Sequence, residues 1–194
     1  MLESLFVSTG IVALAEIGDK TQLLALVLAA RFRRPWPIIW GIVIATLANH
    51  FVAGAVGHWV AGLFSPTTLS WILAACFAAV AVWTLIPDKL DDDETSALKR
   101  YGPFLTTLIA FFIAEMGDKT QIATVMLAAQ YQHLFMVVAG TTLGMLLANV
   151  PVVLAGHFAA DRLPLTLIHR LAAACFLALA IYAACQALGL VGSL

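Results

Sequence analysis

Ala15-Glu-Ile-Gly-Asp-Lys-Thr-Gln22 and Ala114-Glu-Met-Gly-Asp-Lys-Thr-Gln121 are two copies of one motif, 99 positions apart and identical at seven of eight residues. Shorter matches follow in the same order at offsets of 99 or 100: Ala48-Asn49 with Ala148-Asn149, Gly57-His58 with Gly156-His157, and Ala74-Ala-Cys-Phe77 with Ala173-Ala-Cys-Phe176. Self-similarity of this kind predicts a chain of two related halves.

The composition around these motifs is that of a membrane protein. Hydrophobic residues make up 62% of the 194-residue chain and charged residues 11%, and the mean hydropathy is +0.99. A net charge of -1 offers no basic surface for nucleic acid. Three cysteines without metal-ligand spacing give no sign of a disulfide scaffold or a zinc site.

A helix needs about 20 apolar residues to cross the hydrocarbon core. Six stretches meet this length: 5–30, 36–63, 68–86, 103–129, 134–160 and 164–190. We therefore predict an all-α integral membrane protein with six transmembrane helices. They form one three-helix repeat over residues 1–86 and a second over 103–194, joined by a hydrophilic cytoplasmic linker at 87–102.

The two repeats are expected to be inverted, because an odd number of crossings turns the second repeat upside down. Positively charged short loops stay on the cytoplasmic side. The eight cations outside the motifs fall at one face of the six-helix arrangement: Arg31, Arg33, Arg34, Lys89, Lys99, Arg100, Arg162 and Arg170. This distribution predicts that both termini lie outside the cytoplasm.

Each motif falls near the bilayer centre and carries acidic side chains. Glu and Asp stand three positions apart, which would put both carboxylates on one helical face, and the glycine between them leaves room for an ion or permits a break in the helix. An ionisable residue costs about 2.5 to 3.5 kcal/mol at a membrane-helix centre. The motifs should therefore face the bundle interior and meet as one metal site of four carboxylates: Glu16, Asp19, Glu115 and Asp118.

Charge and ligand type suggest the cargo. Four carboxylates and two lysines, Lys20 and Lys119, leave a formal charge of -2, which one divalent cation or two protons would cancel. Oxygen ligands suit hard cations such as Mn²⁺, Ca²⁺ and Mg²⁺, whereas the motifs contain no His or Cys for Zn²⁺ or Cu⁺. The lysines are expected to form salt bridges with the glutamates four positions before them.

Several polar residues around the motifs have two interpretations. Amide side chains could contact the ion or form hydrogen bonds between helices: Gln22, Gln121, Asn49 and Asn149. Thr21 and Thr120 could support the ion or bond the preceding backbone turn. His58 and His157 could relay protons or be ordinary residues at helix ends, and His50 has no counterpart in the other half.

The doubled Glu-x-Gly-Asp-Lys-Thr motif, each copy in the first helix of a three-helix half, resembles the Gdt family of membrane cation transporters. The resemblance covers nearly the whole chain. It implies transport of Mn²⁺ and Ca²⁺ in exchange for protons, with Mn²⁺ export in bacterial members and a site comprising Glu16, Asp19, Glu115 and Asp118. The compact chain lacks the N-terminal extension of organellar members, so we expect a bacterial cytoplasmic membrane.

We accordingly expect a secondary transporter that works by alternating access, with no resident cofactor and no enzymatic activity. Two alternatives use the same acidic residues. A divalent-cation channel would conduct without proton coupling, and a membrane-embedded metal-dependent enzyme would need a nucleophile or a His-rich metal set beside the carboxylates.

Overall fold

The computed structural model describes residues 2–86, 101–155 and 165–191. Within these ranges all regular structure is helical, in eight helices: α1 Leu2–Glu16, α2 Lys20–Phe32, α3 Pro35–Ala61, α4 Pro66–Thr84, α5 Pro103–Glu115, α6 Lys119–Tyr131, α7 Leu134–Ala155 and α8 Leu165–Ala187. The all-α class is therefore confirmed. Most of the predicted linker, including the acidic residues from Asp91 to Glu94, lies outside the described residues, as does His157.

Four of these helices are long and apolar enough to cross a membrane: Pro35–Ala61, Pro66–Thr84, Leu134–Leu154 and Thr166–Ala187. Two of these four helices follow each motif along the chain. Many of their large apolar side chains are exposed. This agrees with the predicted membrane class, since a lipid-facing surface is apolar. Six crossings in two inverted halves stay a prediction at this level.

The stretches 5–30 and 103–129 are not single helices, because each is interrupted at its motif. Glu16 is the last residue of α1, and Asp19 precedes α2 in an extended conformation with φ -79° and ψ 168°. Asp118 precedes α6 in the same way, with φ -79° and ψ 165°. The prediction that Glu and Asp share one helical face is therefore wrong, and the helix break that the glycine permits is what the chain adopts.

The backbone at each interruption repeats in both halves. Gly18 has φ 85° and Gly117 has φ 76°, in the left-handed region where only glycine carries no steric penalty. The helix after each break also ends alike, since Arg33 and Gln132 have φ 51° and 52° and stand 99 positions apart. The shared offset extends the sequence repeat to the backbone.

The halves interlock through the helices that adjoin the breaks. α1 packs mainly on α7 and α5 packs on α3, so that each half lies against the other, while α4 pairs with α8. Glycines allow these contacts: a Cβ at Gly41 would lie 2.9 Å from the carbonyl oxygen of Phe104, and one at Gly140 would lie 2.6 Å from that of Leu5. Gly41 and Gly140 stand 99 positions apart, and so do Leu5 and Phe104. The packing therefore brings the two breaks together between α3 and α7.

We predict that Gly140→Ala destabilises the protein, because the added methyl group meets a backbone carbonyl that cannot rotate away. Overpacking of this kind costs about 1 to 3 kcal/mol, so the midpoint of thermal unfolding in detergent should fall by several degrees. Gly10→Ala is the matched control on α1, since a Cβ there meets nothing within 4 Å. Equal unfolding midpoints for the two variants would contradict the close contact between α1 and α7.

Candidate functional site

A cluster of three carboxylates lies where the two helix breaks meet. Glu16, Asp19 and Asp118 each offer one oxygen within 4.8 Å of the others. Their exposed fractions are only 0%, 2% and 3%. The cluster joins residues from both halves, and its all-oxygen donor set has the chemistry of a hard divalent cation.

The hydroxyl groups of the neighbouring threonines donate hydrogen bonds to these carboxylates and so orient them. The Thr21 hydroxyl donates to Glu16 Oε2 at 2.5 Å, and the Thr120 hydroxyl donates to Asp118 Oδ2 at 3.2 Å. The other oxygen of Glu16, Oε1, has no hydrogen-bond partner among the described residues. This leaves one fully buried acceptor on Glu16 that a cation or a proton would satisfy.

The two motif lysines have different environments. Lys119 Nζ lies 3.3 Å from Asp19 Oδ1, with both side chains buried, so it pairs across the repeats. Lys20 is half-buried, and the described part of the chain contains no ion pair of this residue. The symmetric prediction for the lysines is therefore wrong, and only Lys119 contributes its charge to the cluster.

Glu115 lies outside the three-carboxylate group and contacts α3 instead. Its Oε1 accepts a hydrogen bond of 2.9 Å from the Thr46 hydroxyl. Its Oε2 is 3.3 Å from Nε2 of His50, and both side chains are fully buried. The sequence did not predict this contact of His50, because the second half has no histidine at a corresponding position.

Both motif glutamines serve the backbone. The side-chain oxygens of Gln22 and Gln121 accept from the amides of Gly18 and Gly117, at 2.9 and 2.7 Å. Their amide nitrogens then reach into the opposite half, where Gln22 donates to the Ala148 carbonyl at 3.0 Å and Gln121 to the Asn49 side chain. Each glutamine thus ties one break to the long helix of the other half, and both of its polar groups are engaged.

These glutamine contacts also set the register of the repeat. Gln22 and Gln121 are 99 positions apart, so their partners at 148 and 49 are equivalent. In that register Asn149 corresponds to His50, and the pairing of Asn49 with Asn149 is wrong by one residue. Asn149 donates to the Met145 carbonyl at 3.1 Å, and its buried Oδ1 has no hydrogen-bond partner within the described ranges.

Among the other histidines that the structure describes, one contacts a helix break. His58 is exposed and lines a surface pocket with His133, which does not support a relay role. His169 on α8 instead contacts the first break directly, with Nε2 3.1 Å from the carbonyl oxygen of Ile17. Sequence patterns carried no sign of this contact, since the two residues are 152 positions apart.

Comparison with known proteins gives a consistent result. The sequence model of the family "Divalent cation/proton antiporter GDT1" matches residues 4–92 and 103–190. A protein of Vibrio cholerae serotype O1 named "Putative manganese exporter" is 55% identical over 182 residues, covering 93% of this chain and 90% of that protein.

More distant relatives carry the family name. GDT1-like protein sll0615 of Synechocystis is 28% identical over 174 residues, which cover 79% of this chain and 82% of that protein. GDT1-like protein 5 of Arabidopsis thaliana is 28% identical over 177 residues, covering 72% and 77%. No solved structure matches the chain.

The family match extends over both halves and includes both motifs, and the resemblance expected from the doubled motif is confirmed. On this basis the chain belongs to the GDT1 family of divalent cation/proton antiporters.

Proposed function

We propose that this protein is a secondary transporter that exports divalent cations from a bacterial cytoplasm in exchange for protons, with Mn²⁺ as the main cargo and Ca²⁺ as a second one. One observation carries the proposal: three buried carboxylates from both halves converge at paired helix breaks inside an apolar bundle. The name of the Vibrio cholerae relative supports Mn²⁺.

The charge of the cluster fits this exchange. Glu16, Asp19 and Asp118 contribute -3 and Lys119 contributes +1, so the formal sum is -2. One divalent cation or two protons would neutralise it. Glu115 lies outside this group of three carboxylates and is not counted in the sum. The two sequence motifs together also gave a formal charge of -2, but that sum included Lys20 and Glu115.

Six membrane crossings follow if each broken pair counts as one. α1 and α2 contain 15 and 13 residues, and α5 and α6 contain 13 each. Neither member of a pair alone reaches about 20 residues, whereas two in succession do. With the four long helices this makes two halves of three crossings each, related by inversion, with both termini on the non-cytoplasmic side.

Alternating access is supported by unlike packing of the two halves. α6 is buried along most of its length and packs on α3, α4 and α7, whereas α2 packs mainly on α7 and α5. The break that precedes α2 is also contacted by α8, through His169. Because the two halves have similar sequences, each could adopt the packing that the other now shows, at little cost in free energy. The exchange would open the cluster first to the cytoplasm and then to the outside, where protons displace the ion.

We predict that Glu16→Gln abolishes metal-driven transport. The substitution removes one carboxylate charge from the cluster and changes the net charge from -2 to -1, so a divalent cation is no longer neutralised. Mn²⁺ uptake by proteoliposomes should fall at least tenfold. Glu3→Gln is the matched control, since Glu3 is exposed on the same helix. Transport by Glu16→Gln at the rate of the unmodified protein would exclude the cluster as the transport site.

We predict opposite consequences for the two motif lysines. Lys119→Met leaves a cluster of -3 with Asp19 no longer paired to an ammonium group, so Mn²⁺ should bind more tightly while its transport slows at least tenfold. Lys20→Met should change transport less than twofold. Calorimetric titration measures binding, and flux into proteoliposomes measures transport. Equal effects of the two substitutions would contradict the cross-repeat pairing.

We predict electroneutral exchange of one divalent cation for two protons. Mn²⁺ flux should follow an imposed pH gradient and stay insensitive to an imposed membrane potential, because the loaded cluster has the same charge in both directions. A pH-sensitive dye inside the vesicles counts the protons. Flux driven by voltage without proton movement, or unitary currents in planar bilayers, would favour a channel instead.

A further inference from the structure

A second group of ligand-type side chains lies at the end of α5, three residues before Asp118 of the three-carboxylate cluster. It consists of Glu115, His50 and Thr46, all completely buried. We propose that these residues form a mixed nitrogen and oxygen subsite for the transported cation, and that His50 gives the protein its preference for Mn²⁺ over Ca²⁺. This inference rests on the proposed function and adds a specificity determinant to it.

The separation between Glu115 and His50 is compatible with two ligands of one ion. Metal–ligand bonds of about 2.0 to 2.6 Å at right angles place neighbouring ligand atoms roughly 2.8 to 3.7 Å apart. Glu115 Oε2 and His50 Nε2 are separated by 3.3 Å. Neither atom takes part in a hydrogen bond of acceptable geometry within the described residues, although both are buried. Each atom thus has the other as its polar neighbour and makes no further hydrogen bond, so both could bind one cation placed to the side of the line that joins them.

Thr46 orients the carboxylate of Glu115, whereas the imidazole of His50 is positioned without a hydrogen bond among the described residues. The Thr46 hydroxyl holds Glu115 Oε1 at 2.9 Å, so the carboxylate is oriented with its second oxygen toward the imidazole. His50 Nδ1 also has no hydrogen-bond partner among the described residues. The ring is consequently placed by packing within α3 and its neighbours, and Nε2 stays aimed at the carboxylate.

Donor chemistry gives this subsite its selectivity. Ca²⁺ and Mg²⁺ take oxygen ligands almost exclusively. Mn²⁺ also prefers oxygen ligands but, as a first-row transition-metal ion, it accepts one imidazole nitrogen beside them more readily than Ca²⁺ does. The cluster of Glu16, Asp19 and Asp118 contains oxygen donors alone and does not by itself separate Mn²⁺ from Ca²⁺. An imidazole beside that cluster would stabilise Mn²⁺ selectively along its path.

The repeat marks His50 as the position where the halves differ in chemistry. In the register set by the glutamine contacts, the counterpart of His50 on α7 is Asn149, an amide with an unpartnered buried oxygen. The first half therefore supplies nitrogen where the second supplies oxygen. His50→Asn converts the subsite to oxygen donors with a residue that the fold already accepts at the equivalent position.

The test measures Mn²⁺ and Ca²⁺ transport by the full-length protein in liposomes. In His50→Asn the ratio of kcat/KM for Mn²⁺ to that for Ca²⁺ should fall about tenfold, with Ca²⁺ transport retained. His133→Asn is the matched control, because His133 is exposed in a loop. His50→Gln provides a second variant if His50→Asn does not give a monodisperse protein.

Pulsed electron paramagnetic resonance on bound Mn²⁺ gives a readout that a structural role would not produce. The unmodified protein should show coupling of Mn²⁺ to an imidazole ¹⁴N nucleus, and this coupling should disappear in His50→Asn and persist in His133→Asn. Absence of ¹⁴N coupling in the unmodified protein would overturn the proposal. An unchanged Mn²⁺ to Ca²⁺ ratio in a folded variant, or equal loss of both activities, would also overturn it.

The outcomes separate this inference from the transport proposal. Failure of the unmodified protein to move either cation would refute the proposed function, whereas the nitrogen coupling would still decide whether His50 binds metal. Full transport with an unaltered cation preference in His50→Asn would refute the subsite alone.

Discussion

Three carboxylates are buried away from water inside an apolar bundle, and the free-energy cost of this burial is the constraint on which the rest of the structure depends. An ionised group near the middle of a membrane helix costs about 2.5 to 3.5 kcal/mol, and apolar side chains return only tenths of that each. Glu16, Asp19 and Asp118 are therefore stable only where charges and hydroxyl donors meet them. Lys119, Thr21 and Thr120 provide these partners from helix ends rather than helix faces.

The helix breaks make that arrangement possible and create a second requirement. Interrupting a helix frees backbone amides and carbonyls, which must find partners where lipid surrounds the bundle. Gln22 and Gln121 bind the freed amides of their own glycines and at the same time the long helix of the opposite half. The same two side chains thus stabilise the breaks and hold the halves in register. We regard them as structural supports of the cluster, since their polar groups are already engaged.

The halves share backbone geometry but differ in the charges around it. Gly18 and Gly117 adopt the same left-handed conformation, yet Lys119 enters the cluster while Lys20 does not, and Glu16 enters it while Glu115 turns to His50. A two-state transporter built from repeats is expected to be asymmetric in any one state, because each half adopts the conformation that the other will adopt next. The differences at positions 50 and 149 are of another kind, since they are written into the sequence and persist in every state.

Sequence alone determined the helical class, the doubled motif with its break-permitting glycines, and the acidic residues that must be shielded from lipid, because hydropathy, repeat spacing and glycine chemistry are local properties of the chain. Only the tertiary structure decided that Lys119 pairs with Asp19, that Glu115 meets His50, and that Asn149 is the counterpart of His50. A helical pattern specifies which side chains share a face but not which neighbouring helix that face contacts. The sequence matches occur at offsets of both 99 and 100, and only the contacts across the repeats decide which offset holds along α3 and α7.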